Sequence, residues 1–182
     1  MGNKVARVIL GIVIIVGILV GAYFILPGSV HYPIKAFIQE KTNDNYSKVI
    51  EPLKAAKVPK NKDFTFGDAF ESNTEHPAWT IEESDVDDKG NGSYIIYADG
   101  FNITVALESE ENSDGLITRT NAHFRCRFDV TKEGSVIKVN NKTMEEGKPI
   151  YPSQIEVDQD VYSQSNTSND YYQKCLDSLC GK

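Results

Sequence analysis

Three regimes of hydrophobic patterning follow one another along the chain. From Val8 to Leu26 the run VILGIVIIVGILVGAYFIL holds nineteen residues without a charge, an amide or a serine. As a helix rising 1.5 Å per residue, such a run spans about 28 Å, close to the hydrocarbon thickness of a bilayer. After the breaker-rich PGSVHYP, Ile34, Phe37 and Ile38 and then Tyr46, Val49, Ile50 and Leu53 recur at three- and four-residue intervals, as in amphipathic helix. Pro52 should kink or divide that helix. KVPKNKDF reads as a polar linker, and TFGDAFES as a short helix opening at Thr65 or Phe66.

Past Pro77 the period becomes two. Trp79 and Ile81 form a first strand, DVDDKGNG a turn, and Tyr94 to Ala98 a second strand. Asp99 and Gly100 then turn the chain into a third strand carrying Phe101, Ile103, Val105 and Leu107. ESEENSDG is a solvated acidic loop. His123 to Val130 make a fourth strand and Ser135 to Val139 a fifth. Residues 140–154 read as irregular, VDQDVY as a helical turn, and DYYQKCLDSLC as a helix with Tyr172, Cys175, Leu176 and Leu179 on one face. The expected fold is α+β: an N-terminal transmembrane helix, then helices packed on one face of an antiparallel sheet of about five strands. Residues 1–26 would be a cytoplasmic tip and anchor, 27–63 a membrane-proximal helical stalk and linker, and 64–182 an exported domain.

Charge orients this arrangement. Lys4 and Arg7 precede the apolar run and the next cation is Lys35, which favours a cytoplasmic N-terminus and an exocytoplasmic remainder, the topology of a single-pass cell-membrane protein. A cleaved signal peptide is the competing reading, and the length of the apolar run favours an anchor. Gly17 and Gly21 make a GxxxG pair that would let two such helices pack closely. Setting Lys4 and Arg7 aside leaves 17 of the 19 basic side chains against 26 acidic ones, a formal charge of −9. Nucleic acid is therefore an unfavourable partner. About 156 residues after the run suffice for one core.

The three cysteines bring in redox chemistry. In FRCRF, alternation puts Cys126 on the apolar face with Phe124 and Phe128, as a small buried residue. Cys175 and Cys180 are then the disulfide candidates in an oxidising compartment, provided the helix ends between them; a bridge from the tail to Cys126 is the alternative.

The series VPKNKDFTFGDAF, AWTIEE, YIIYADGFNITVAL, FRCRFDV and SVIKV resembles a group of bacterial membrane-anchored proteins of unknown function, in which a GxAF helix precedes a tryptophan strand and a β-meander. The resemblance covers roughly residues 57–140. It implies a bacterial envelope setting and carries no activity or site with it.

Few side chains suggest chemistry. His123, Arg125 and Arg127 form a basic row on the polar face of the fourth strand, able to grip a carboxylate or phosphate, although cross-strand pairing with acidic neighbours is the commoner use. Asp85, Asp87, Asp88 and Asn91 evoke a calcium loop, but Lys89 and Ile96 occupy positions where the EF-hand pattern needs oxygens, and a hydrophilic turn explains them. His31, His76 and His123 share no metal-ligand spacing, no cofactor motif occurs, and no nucleophile elbow or phosphate loop is present. The expected function is a non-enzymatic envelope protein whose exported domain binds another protein or supports an assembly. The alternatives are a hydrolase or small-anion sensor using the basic row, and an immunity or inhibitor protein.

Overall fold

A computed structural model describes residues 21, 23, 25–108, 116–163 and 169–181. Most of the apolar run, Gly17 of the GxxxG pair included, lies outside the described residues. Among the described residues no helix is long and apolar enough to cross a membrane. Gly21, Tyr23 and Ile25 are helical, and the helix breaks at Leu26 and Pro27, whose ψ of 150° is extended.

In chain order come α1 (Gly28–Thr42), α2 (Tyr46–Ala55), β1 (Lys57–Val58), β2 (Asn61–Thr65), α3 (Phe66–Asn73), β3 (Glu75–Ser84), β4 (Gly92–Glu108), β5 (Leu116–Glu133), β6 (Val136–Val139), β7 (Lys142–Thr143), β8 (Gln154–Val157), β9 (Asp160–Ser163) and α4 (Asn169–Leu179). The class is α+β, with the helices packed against a seven-stranded antiparallel sheet ordered β3-β4-β5-β6-β7, in which β8 pairs with β5 and β9 with β8. One core draws on Val49, Ile50 and Leu53 of α2, Phe66 and Phe70 of α3, the inward residues of β3 to β5, and Leu176 and Leu179 of α4. Phe66 meets Phe128 edge-on at 5.2 Å, and Phe70 meets Trp79 at 5.7 Å. Trp79 is the core anchor that its alternation with Ile81 implies.

Several expectations are corrected. Asp99 and Gly100 do not turn the chain; they lie inside the single 17-residue β4, where Asp99 pairs with Arg125 and Gly100 with Phe124. Glycine is needed there for close approach, because a Cβ at residue 100 would sit 2.4 Å from the Thr74 hydroxyl. Register shifts follow immediately, and Asn102 takes a φ of 56° as the strand bulges. The second and third expected strands are thus one. VDQDVY is no helical turn: Val157 ends β8, Asp158 turns with a φ of 57°, and β9 returns, burying Ile155 and Val157. Within the expected polar linker, β1 and β2 form a small hairpin. Pro52 lies inside an undivided α2.

The short α3 is set by its first turn. Asp68 N–H donates to the Thr65 hydroxyl at 3.1 Å while the Asp68 carboxylate accepts from Thr65 N–H, a reciprocal capping box. Thr65→Ala is expected to cost about 1 kcal/mol of folding free energy, read from the urea midpoint.

The edge of β3 is blocked by side chains. The Gln39 amide of α1 works as a surrogate strand, donating to the Ile81 carbonyl at 2.7 Å and accepting from the Ile81 N–H at 2.9 Å. The Tyr46 hydroxyl donates to the Trp79 carbonyl at 2.8 Å. Such capping hides groups that would otherwise recruit another strand. Thr80 points away from Trp79 and Ile81, yet it is buried as they are, since α1 packs alongside β3.

Burial also sets an alkaline limit. It pushes the Tyr46 phenol, with help from Glu40 and Glu51, from 10.0 to about 12. It pushes the Cys175 thiol from 9.0 to about 12. A raised pKa means that the folded state keeps its proton when the unfolded chain has lost it, so this stabilisation is complete below pH 9 and disappears as pH rises towards about 12. The urea midpoint is expected to fall across that window, and Tyr46→Phe to flatten its upper half.

Candidate functional site

Alternation in β5 puts His123, Arg125 and Arg127 on the sheet face opposite the core, as expected. The partners they meet there come from elsewhere in the chain. Asp99 of β4 is opposite Arg125 in register and fully buried. Its Oδ1 accepts from Arg125 Nε at 2.7 Å and lies 2.7 Å from His123 Nε2. On the other flank, Glu156 of β8 brings a carboxylate oxygen within 4.0 Å of the Arg125 guanidinium. Arg127 turns along its own strand to Asp129, at 3.0 Å from Nε and 2.9 Å from a terminal nitrogen. All three side chains are engaged by carboxylates of this chain.

Tyr32 of α1 completes the cluster. The Arg125 guanidinium lies 4.7 Å from the Tyr32 ring centroid and 5.0 Å from that of Tyr97, between two phenol faces. The His123 ring stacks on Phe101 at 4.5 Å and on Tyr32 at 5.6 Å, with interplanar angles of 7° and 16°. Burial works against the Arg125 charge, but the charge and hydrogen bond of Asp99, reinforced by the Tyr32 hydroxyl, outweigh it and raise the guanidinium pKa. The ring contacts continue back towards the N-terminal segment, since His31 lies 5.4 Å from Tyr32 and 4.3 Å from Tyr23. Here α1 reaches the face of the sheet opposite the core, so the helices do not all share one face.

Chemically, the cluster holds parts together. An Asp–His pair can orient a general base, but among the described residues no Ser, Thr or Cys side chain hydrogen-bonds His123. Among the described residues, cavities of about 340, 300 and 400 Å³ lie around residues 139–151, between α2 and the 144–147 loop, and along β4, β5 and the 140–141 turn. None of them includes His123, Arg125 or Arg127. One polar atom of the cluster is unsatisfied: Asp99 Oδ2 is buried without a hydrogen-bond partner.

The other candidates resolve structurally. Asp87 Oδ1 accepts from the backbone N–H of Lys89 at 2.9 Å and of Asn91 at 2.8 Å, and the Asn91 side chain donates to Oδ2 at 2.9 Å. Those bonds hold the Asp87 carboxyl below its ordinary range and define a turn. Among the described residues no cluster of three or more His, Cys, Asp or Glu side chains could hold a metal ion.

No disulfide joins the cysteines. The expected Cys175–Cys180 bridge required the helix to end between them; α4 does end at Leu179, with Cys180 in a turn whose N–H donates to the Asp177 carbonyl at 3.0 Å, yet the two sulfurs are not joined. Both are buried, as is Cys126. Burial, together with Cys175, Asp99 and Cys180, pushes the Cys126 thiol well up, which makes it a poor nucleophile.

No family model, curated protein or solved structure matches the chain.

Sequence reasoning found the basic row but missed Asp99 and Tyr32. The signal available for Asp99 was an acidic residue beside glycine between two strongly alternating runs, where a continuous strand was an equal reading.

Proposed function

We propose that this chain is a non-enzymatic, membrane-anchored protein of a bacterial envelope, whose exocytoplasmic domain binds another protein or supports an assembly. The anchor is the uncharged run Val8–Leu26, and the family resemblance over residues 57–140 points to the same setting. One observation carries the reading: the first helix after the run is bolted to the sheet, through Gln39 on the β3 edge and Tyr32 in the Asp99, His123 and Arg125 cluster. A domain fixed in this way to the element nearest its tether presents a defined surface instead of swinging on a linker.

A hydrolase or anion sensor on the basic row finds less support, because substrate or anion would first have to displace Asp99 or Asp129.

The test is crosslinking and affinity capture of the intact protein from membranes. The expected result is a membrane-embedded chain that captures a protein partner, with capture lost when residues 27–182 are deleted. Envelope interactions that survive this deletion unchanged would sink the proposal.

A further inference from the structure

We propose that α1 is an interfacial helix, lying along the bilayer surface with its outward face seated among the lipid headgroups and upper acyl chains. This rests on the anchor reading and adds to it the orientation of the domain.

At 3.6 residues per turn, Val30, Ile34, Phe37 and Ile38 fall within an arc of about 100° on α1. Ala36, Gln39 and Tyr32, which face the sheet, occupy the opposite arc. Val30 is 41%, Phe37 62% and Ile38 49% exposed, so large apolar side chains line the side of α1 that no part of the domain covers. Ile25, at 84%, and Leu26, at 36%, extend the exposure back to the end of the apolar run. A stripe of this size is out of place on a helix facing water alone.

Its position selects lipid as the cover. The stripe begins four residues after the run ends, and Phe37 is about 16 Å of helix from Leu26, so it cannot leave the neighbourhood of the bilayer. The helix break at Leu26 and Pro27 allows α1 to turn away from the direction of the span. Laid flat, the stripe meets the interface along its whole length; standing upright as a stalk, α1 would hold Phe37 and Ile38 clear of it. The cations fit the flat pose. Lys41 falls within the apolar arc with its ammonium 5.7 Å from the Phe37 ring, and Lys35 flanks it 3.7 Å from Glu82. Long lysine stems lie along apolar surface and send their charge to the headgroups. The domain's −9 charge works against anionic surfaces, so apolar area supplies the attraction.

The test uses full-length protein in phosphatidylcholine vesicles carrying bromine in the upper acyl chain. Single variants Leu26→Trp, Phe37→Trp and Val136→Trp are compared with the parent, whose Trp79 is buried in the core. The flat pose predicts at least twofold stronger quenching of Phe37→Trp than of the parent, and no gain for Val136→Trp, an exposed residue on β6. Quenching of Leu26→Trp without Phe37→Trp would establish an upright stalk and overturn the proposal. Blue-shifted, unquenched emission from Phe37→Trp would show a protein cover, a second copy included, and overturn it equally. If the parent fails to float with the vesicles through alkaline carbonate, the anchor itself fails and the seating falls with it.

Discussion

Asp99→Asn is expected to lower the unfolding free energy by about 3 kcal/mol, which for a chain of this size moves the thermal midpoint down by about 6–12 °C. The carboxylate is fully buried and serves both Arg125 and His123 through one oxygen. An amide can still accept a hydrogen bond, but it removes the charge and leaves the Arg125 guanidinium, 19% exposed, without its main counter-ion. Removing one partner of a buried pair is costly because the other stays behind uncompensated. Asp129→Asn is the matched control: its carboxylate is 46% exposed and pairs with Arg127 at the surface, so a loss within about 1 kcal/mol is expected. Tyr32 packs on the same cluster, so Asp99→Asn should also make α1 more accessible to protease than the rest of the domain. Equal losses for the two variants would mean that the cluster does not fasten α1.

Phe128→Ala should be comparable or larger, at about 3–5 kcal/mol. Phe128 is completely buried, with its ring edge-on to Phe66 at 5.2 Å and stacked 6.1 Å from Trp79, so truncation opens a cavity where α3, β3 and β5 meet. A native domain has only about 5–15 kcal/mol in hand, so the variant should be marginal at physiological temperature. Urea unfolding followed by Trp79 fluorescence reads both the loss of stability and the change around the indole. Phe37→Ala, on the exposed stripe of α1, is the contrast, and without lipid it should leave the midpoint nearly unchanged.

What was legible in the sequence was whatever a single strand or helix turn carries. Alternation in residues 123–130 placed Phe124, Cys126 and Phe128 inward and the basic row outward, and TFGDAFES read as a short helix opening at Thr65 or Phe66, where α3 begins. What failed depended on distant residues. Asp99 and Gly100 are good turn formers in isolation, and they form strand because His123 and Arg125 pair with the carboxylate and Thr74 fills the space beside the glycine. The β8–β9 hairpin was obscured by polar residues alternating with few apolar ones, and its place beside β5 becomes evident only once Phe124 and Cys126 are paired with Val157 and Ile155. The basic row was visible, but its use was not, because Tyr32 reaches it from a helix more than ninety residues earlier in the chain.

The Gln39 contact with Ile81 gains weight when the chain is considered in number. Proteins held to a surface diffuse in two dimensions, where neighbours meet often and in restricted orientations. If Val8–Leu26 anchors the chain as proposed, an open strand beside that tether would be a template for sheets growing from copy to copy. With both hydrogen-bonding groups of Ile81 engaged by one amide, and the Trp79 carbonyl by Tyr46, three of the groups an arriving strand would need on β3 are already taken, which works against aggregation under crowding.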